Sequence, residues 1–66
     1  MTIVVNSLAR EVPAGITVAQ LLTREGEPEG HVLVEINNVY LPGREHQSRT
    51  LLEGDRVEII LPAFGG

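Results

Sequence analysis

Residues 13–26 read Pro-Ala-Gly-Ile-Thr-Val-Ala-Gln-Leu-Leu-Thr-Arg-Glu-Gly. Thr17 followed three residues later by Gln20 is a capping-box pattern. The threonine hydroxyl takes an orphan backbone N–H, and the glutamine side chain reaches back to the cap. Val18, Leu21 and Leu22 fall on one face at helical spacing, and Ile16 can staple onto that face from before the cap. Gly26 suits the position just past a helix end, and Pro28 prevents continuation. The spacing predicts a helix over Val18–Glu25. Two turns are too short to stand alone in water, so the helix must pack on something else.

The flanking sequence supplies a sheet. Thr2–Asn6 is short, apolar and β-branched, which reads as a strand. Asn6-Ser7 is a turn, Arg10–Pro13 returns as a second strand, and Pro13-Ala14-Gly15 breaks it. Beyond the helix, Val32–Asn37 alternates, with Val32, Val34 and Ile36 on one side. Asn37-Asn38 is a turn, because asparagine tolerates positive φ. Val39–Leu41 is a short strand ended by Pro42-Gly43, and Arg44–Arg49 is a polar loop. Leu51 and Leu52 form a small apolar anchor, and Glu53-Gly54-Asp55 is a turn. The last strand spans Arg56–Leu61, with Val57, Ile59 and Leu61 on one face. A hairpin, a crossover helix and further strands make an α+β roll, a mixed four- to five-stranded sheet with one helix across one face. Pairing the first strand with the last would be parallel and would close the small core. Residues 1–61 form one domain, and residues 62–66 a flexible tail.

Composition narrows the function. The chain has 66 residues, 42% hydrophobic and 21% charged, a globular balance with one small core. Such a domain has no room for a cleft between two lobes, so its expected part in chemistry is as substrate, carrier or adaptor, not as enzyme. There is no cysteine, which excludes disulfides, thiolate metal sites and a cysteine-borne persulfide. The net charge is −4, which makes a nucleic-acid backbone a poor partner. The positive charges are Arg10, Arg24, Arg44, Arg49 and Arg56; with no lysine, the chain cannot accept an isopeptide bond on a side chain. No apolar run approaches the roughly 20 residues that span a bilayer. With Met1 and Gly66 as native ends and no leader pattern, a cytoplasmic chain is expected, and an acidic domain this small is expected to be a monomer when free.

Candidate sites are few. His31 and His46 are expected as solvated loop histidines, with no further ligand spaced to complete a metal site. Glu25, Glu27 and Glu29 read as a solvated acidic face able to meet a basic partner. No nucleophile–base pair, P-loop or dinucleotide-binding glycine motif is present. The chain ends in Gly65-Gly66, in the tail that follows the last strand. That pair reads in two ways, as a frayed end or as a slim extended tail that passes through a narrow channel. In the second reading the Gly66 carboxylate reaches the α-phosphate of ATP in another protein's active site. Adenylation makes it an acyl donor, and a sulfur nucleophile replaces AMP. Two residues do not decide between these readings.

The whole chain, however, resembles the ThiS-type sulfur carriers of thiamin biosynthesis, within the ThiS/MoaD group of ubiquitin-like β-grasp proteins. The segment from Glu11 to Leu22 looks like that family's x-x-P-x-G-x-T-V-x-x-L-L. Val32-Leu33-Val34-Glu35-Ile36-Asn37 looks like its V-A-V-E-x-N strand. Leu52-Glu53-Gly54-Asp55-Arg56-Val57-Glu58-Ile59 looks like its L-x-x-G-D-x-V-E-I turn and strand, and Gly65-Gly66 ends both. Ser7 and Asn38 stand where the family often has glycine, and both keep turn chemistry. Pro62-Ala63-Phe64 is less usual for a thiamin carrier and is reminiscent of MoaD-type tails.

The resemblance implies a β-grasp fold and a carrier role. A ThiF-like enzyme would adenylate Gly66, with ATP and magnesium held by that enzyme and no cofactor on this chain. A desulfurase system would supply sulfur for a thiocarboxylate, and a thiazole synthase would receive it. Alternatives are a MoaD-like small subunit of molybdopterin synthase, a ubiquitin-like modifier transferred to a target lysine, and a plain β-grasp interaction module. Strand parity turns Val4 and Ile60 away from the helix, as an apolar partner spot on the open sheet face beside the tail. Phe64 would anchor the tail in a partner pocket, and Gly65 would keep it slim.

Overall fold

The computed structural model describes residues 1–27 and 30–62. Its elements are β1 (Thr2–Val5), β2 (Leu8–Glu11), α1 (Val18–Glu25), β3 (Leu33–Ile36), β4 (Val39–Leu41), a single 3₁₀ turn (Gly43–Glu45) and β5 (Arg56–Ile60). The five strands form one sheet in the order β2-β1-β5-β3-β4. β1 and β5 run parallel, and the other neighbours are antiparallel. This is the expected mixed sheet with one helix.

The helix has the bounds its local signals set. Thr17 Oγ1 accepts from the Gln20 amide at 3.2 Å, and the Thr17 amide donates to Gln20 Oε1 at 2.9 Å. At the other end Gly26 adopts φ 72°, the left-handed conformation, and its amide donates to Thr23 and Leu22 carbonyls. The buried stripe Val18, Leu21 and Leu22 packs with Ile3, Val5, Val34 and Val57 from the sheet centre and with Leu51 from the connection before β5. The alternation places Ile3 and Val5 toward the helix, as expected.

Both hairpins turn through two residues at positive φ, Asn6 (48°) with Ser7 (71°) and Asn37 (52°) with Asn38 (69°). Turns with positive φ at both central residues match the right-handed strand twist, and asparagine followed by glycine suits them best. Serine carries a Cβ into this region at a cost. Ser7→Gly is therefore expected to raise stability by about 0.5–1 kcal/mol, after allowing for the greater freedom of glycine in the unfolded chain. A thermal melt checks this; an unchanged or lower midpoint contradicts it.

The structure corrects four expectations. β2 spans Leu8–Glu11, not Arg10–Pro13, because the two-residue turn lets pairing begin at Val5↔Leu8. Leu61 lies past the end of β5 and is 63% exposed, so it does not share the core face with Val57. Leu52 is exposed, and Leu51 alone is the anchor. His46 is not a solvated loop residue: it is 2% exposed, and among the described residues neither ring nitrogen has a hydrogen-bond partner. The 3₁₀ turn of Gly43–Glu45 swings it inward, and its carbonyl accepts from the Ala19 amide of the helix at 2.9 Å. An unpaired buried polar group costs about 1–3 kcal/mol. His46→Leu, of similar size and without polar atoms, is expected to raise the melting midpoint by about 4–8 °C, corresponding to about 1 kcal/mol in a domain this small. A lowered midpoint would show that the imidazole makes a polar contact after all.

Candidate functional site

The reactive end predicted from sequence, Gly66 with Gly65 and Phe64, lies outside the described residues. What the structure places is its platform, the strand from which the last residues depart. β5 is the central strand and is held on both sides. On one side the Val4 amide donates to the Asp55 carbonyl and the Asn6 amide to the Val57 carbonyl, each at 2.9 Å. The Asn6 side chain then continues that ladder, its Oδ1 accepting from the Ile59 amide at 2.8 Å. On the other side β3 pairs in register from Leu33↔Ile60 to Ile36↔Val57.

The start of β5 is locked by a buried carboxylate. Asp55, 7% exposed, accepts from the Leu52 amide at 2.8 Å and from Asn37 Nδ2 at 3.1 Å. Its second oxygen also faces the Arg49 guanidinium at 3.5 Å. Asn37 completes the exchange, with its Oδ1 accepting from the Arg56 amide at 3.0 Å. Two turns separated by 18 residues are thereby joined, and the strand leading to the tail starts from a fixed point. Sequence reading took Asn6, Asn37 and Asp55 as turn formers only. Their side chains are the clamps of β5, and the signal for that role is an asparagine or aspartate just outside a strand that has an unpaired amide to satisfy.

The face of the sheet away from the helix carries the candidate docking residues. The register puts Val4 opposite Arg56, and Ile60 opposite Leu33. Val4 and Ile60 do share this face and are both half-buried, but they are not adjacent. Four residues of β5 separate their levels, about 13 Å at strand rise. The apolar neighbour of Ile60 is Leu33, 42% exposed. Tyr40 of β4, opposite Glu35 and 56% exposed, lies on the same face. The apolar spot at the tail end of β5 is therefore Ile60 with Leu33. Past it, Leu61 and Pro62 line a shallow hollow with Gly30 and His31.

Of the acidic stretch, Glu25 is not simply solvated: it pairs with Arg10 of β2 at 3.2 Å, tying the helix end to the sheet edge. Glu27 carries no ion pair among the described residues, and Glu29 lies outside them. His31 is exposed. Among the described residues no group of three His, Cys, Asp or Glu could hold a metal ion, and no helix is long and apolar enough to cross a membrane.

Comparison with known proteins agrees with this architecture. Among curated proteins no sequence matches significantly. Two solved structures of a thiamine biosynthesis protein from Geobacter metallireducens are similar. The crystal structure, of the protein named ThiS, shares 28% identity over 100% of both chains with a TM-score of 0.87. The solution structure shares 28% identity over 100% of this chain and 88% of that one, with a TM-score of 0.80. The model of the ThiS family matches residues 2–66. With nearly the whole chain matched, from the first strand through the terminal glycine pair, the protein belongs to the ThiS family of ubiquitin-like β-grasp sulfur carriers.

Proposed function

We propose that this chain carries sulfur for thiazole formation in thiamin biosynthesis, as a thiocarboxylate on Gly66. The observation that supports it most is the family match that runs to residue 66, together with a β5 clamped on both sides just before the tail. In this reading the chain is a substrate of other enzymes and catalyses nothing itself.

The chemistry follows from the weakness of a carboxylate as an acyl donor. A Gly66 carboxylate oxygen attacks the α-phosphorus of ATP in a ThiF-like enzyme, and pyrophosphate leaves. The resulting mixed anhydride is attacked at carbon by a sulfur nucleophile supplied through a desulfurase system, and AMP leaves with the C–O bond pair. Magnesium and ATP are held by the activating enzyme. Gly65 and Gly66 present no side chain to the walls of its channel, Phe64 anchors the tail, and Ile60 and Val4 lie on the docking face. A thiazole synthase then takes the sulfur. The compartment is the one that holds ATP and these enzymes, the cytoplasm.

Pyrophosphate release tests the first step. A ThiF-like enzyme from the same organism, given ATP and magnesium, is expected to release pyrophosphate only when this chain is added. No release, from an enzyme active on another carrier, would contradict the reading.

A further inference from the structure

Strand β5 is paired unevenly. On its β3 side the register runs on to Leu33↔Ile60. On its β1 side the register ends at Val5↔Val57, because β1 turns away through Asn6 and Ser7 into β2. Glu58, Ile59 and Ile60 therefore lie past the last residue of β1. Alternate residues of a strand turn their backbone groups to the same neighbour. The Val57 carbonyl accepts from the Asn6 amide, so the Ile59 amide points the same way, to a side where no strand remains. Asn6 Oδ1 meets it at 2.8 Å, across 53 residues of sequence. Among the described residues no bond from β1 or its turn reaches β5 beyond Ile59. Leu61, next after β5, is exposed, so burial does not hold the chain there either. One residue thus does two jobs. Its backbone, at φ 48°, opens the turn, and its carboxamide stands in for the missing strand.

We propose that Asn6 is a positioning residue for the reaction at the chain end. Its carboxamide keeps the last part of β5 in line, and so sets the direction in which the tail leaves the sheet. This role presupposes the carrier reading and adds to it a residue far in sequence from the reacting atoms. The consequence is one of populations. A strand end that loses its last hydrogen bond on one side opens locally more often. An enzyme that accepts the tail only from the aligned strand then sees its substrate diluted by the aligned fraction, which lowers apparent affinity. Turnover is untouched, since a chain end that has been seated is the same in either case. Glycine and aspartate separate the two jobs. Glycine takes positive φ without a Cβ penalty but offers no acceptor. Aspartate tolerates positive φ and keeps an acceptor oxygen.

The test uses the full chain with Asn6→Gly and with Asn6→Asp. Amide hydrogen exchange at Ile59 reads the bond itself, and pyrophosphate release by a ThiF-like enzyme from the same organism reads positioning. Asn6→Gly is expected to keep the melting midpoint within about 4 °C of the parent and to speed exchange at Ile59 about 5-fold. It should raise the KM for the carrier about 2- to 5-fold, with kcat unchanged. Asn6→Asp should restore the parental KM and the protection of Ile59. A parental KM in the glycine variant, whatever the exchange at Ile59, would overturn the positioning role and leave the carrier reading intact. So would a raised KM with unaltered exchange at Ile59, or an aspartate variant no better than the glycine one. A parental chain that gives no release with an enzyme active on another carrier would overturn both.

Discussion

Deleting Gly66 is expected to abolish pyrophosphate release and thiocarboxylate formation while changing stability by no more than about 0.5 kcal/mol, the usual size for changes away from the core. The chemical loss should be complete because, in the proposed chemistry, the reacting atoms are the terminal carboxylate oxygens. A chain ending at Gly65 presents its carboxylate one residue short of the α-phosphate, and adenylation depends on placing reacting atoms within about 3–3.5 Å. The small effect on stability follows from where the described hydrogen bonds lie. The ladders that hold β5 are complete by Ile60, and the core ends at Val57, with Ile59 packed against it. The two readouts together separate roles. A melting midpoint lowered by several degrees would make the tail a structural element. Unimpaired pyrophosphate release would take the reactive group away from Gly66.

Replacing Asp55 by alanine should have the largest effect on the fold. The carboxylate is 7% exposed and serves the Leu52 amide, Asn37 Nδ2 and Arg49. Its removal leaves an amide and a carboxamide without their acceptor and loosens the joint between the two turns. The expected cost is about 2–3 kcal/mol. In a domain this small that lowers the melting midpoint by about 10–20 °C, against a total stability of about 3–10 kcal/mol. Asp55→Asn, which keeps an acceptor for the Leu52 amide, should recover part of the loss. A drop of less than about 3 °C for the alanine variant would show that the network is replaced by water at no cost. Because β5 leads to the tail, the alanine variant should also be a poorer substrate at temperatures where it is still folded. Its defect should lie in apparent affinity more than in turnover, since the chain end itself is unaltered.

The elements that were legible from sequence are those specified by their own neighbours. Thr17, Gln20 and Gly26 fix both ends of α1 within ten residues of each other, so the Val18–Glu25 bounds needed no tertiary information. The parallel pairing of β1 with β5 was also legible, because a hairpin, a crossover helix and a final strand leave few ways to close one core. Register was not. Val4 lies opposite Arg56 and Ile60 opposite Leu33 because of contacts made across more than 20 residues, and parity alone tells the face but not the level. His46 was misread for a related reason. Its polar neighbours Arg44, Glu45 and Gln47 describe a solvated loop, and only the inward 3₁₀ turn, tied to the helix through Ala19, buries it. Asp55 shows the same limit in a milder form, since a turn residue in Glu53-Gly54-Asp55 gives no hint that its partner is Asn37. Of the candidate site, the proposed reactive end rests on the last two residues, which lie outside the described ones, whereas the apolar neighbour of Ile60, Leu33, became visible only once β3 and β5 were aligned.

The central claim is tested most directly by the intact mass of the protein after incubation with ATP, magnesium, a sulfide source and a ThiF-like enzyme from the same organism. The account predicts a gain equal to the replacement of one oxygen by sulfur, confined to the C-terminal fragment and lost when Gly66 is deleted. An unchanged mass, with the enzyme shown to act on another carrier under the same conditions, would contradict it.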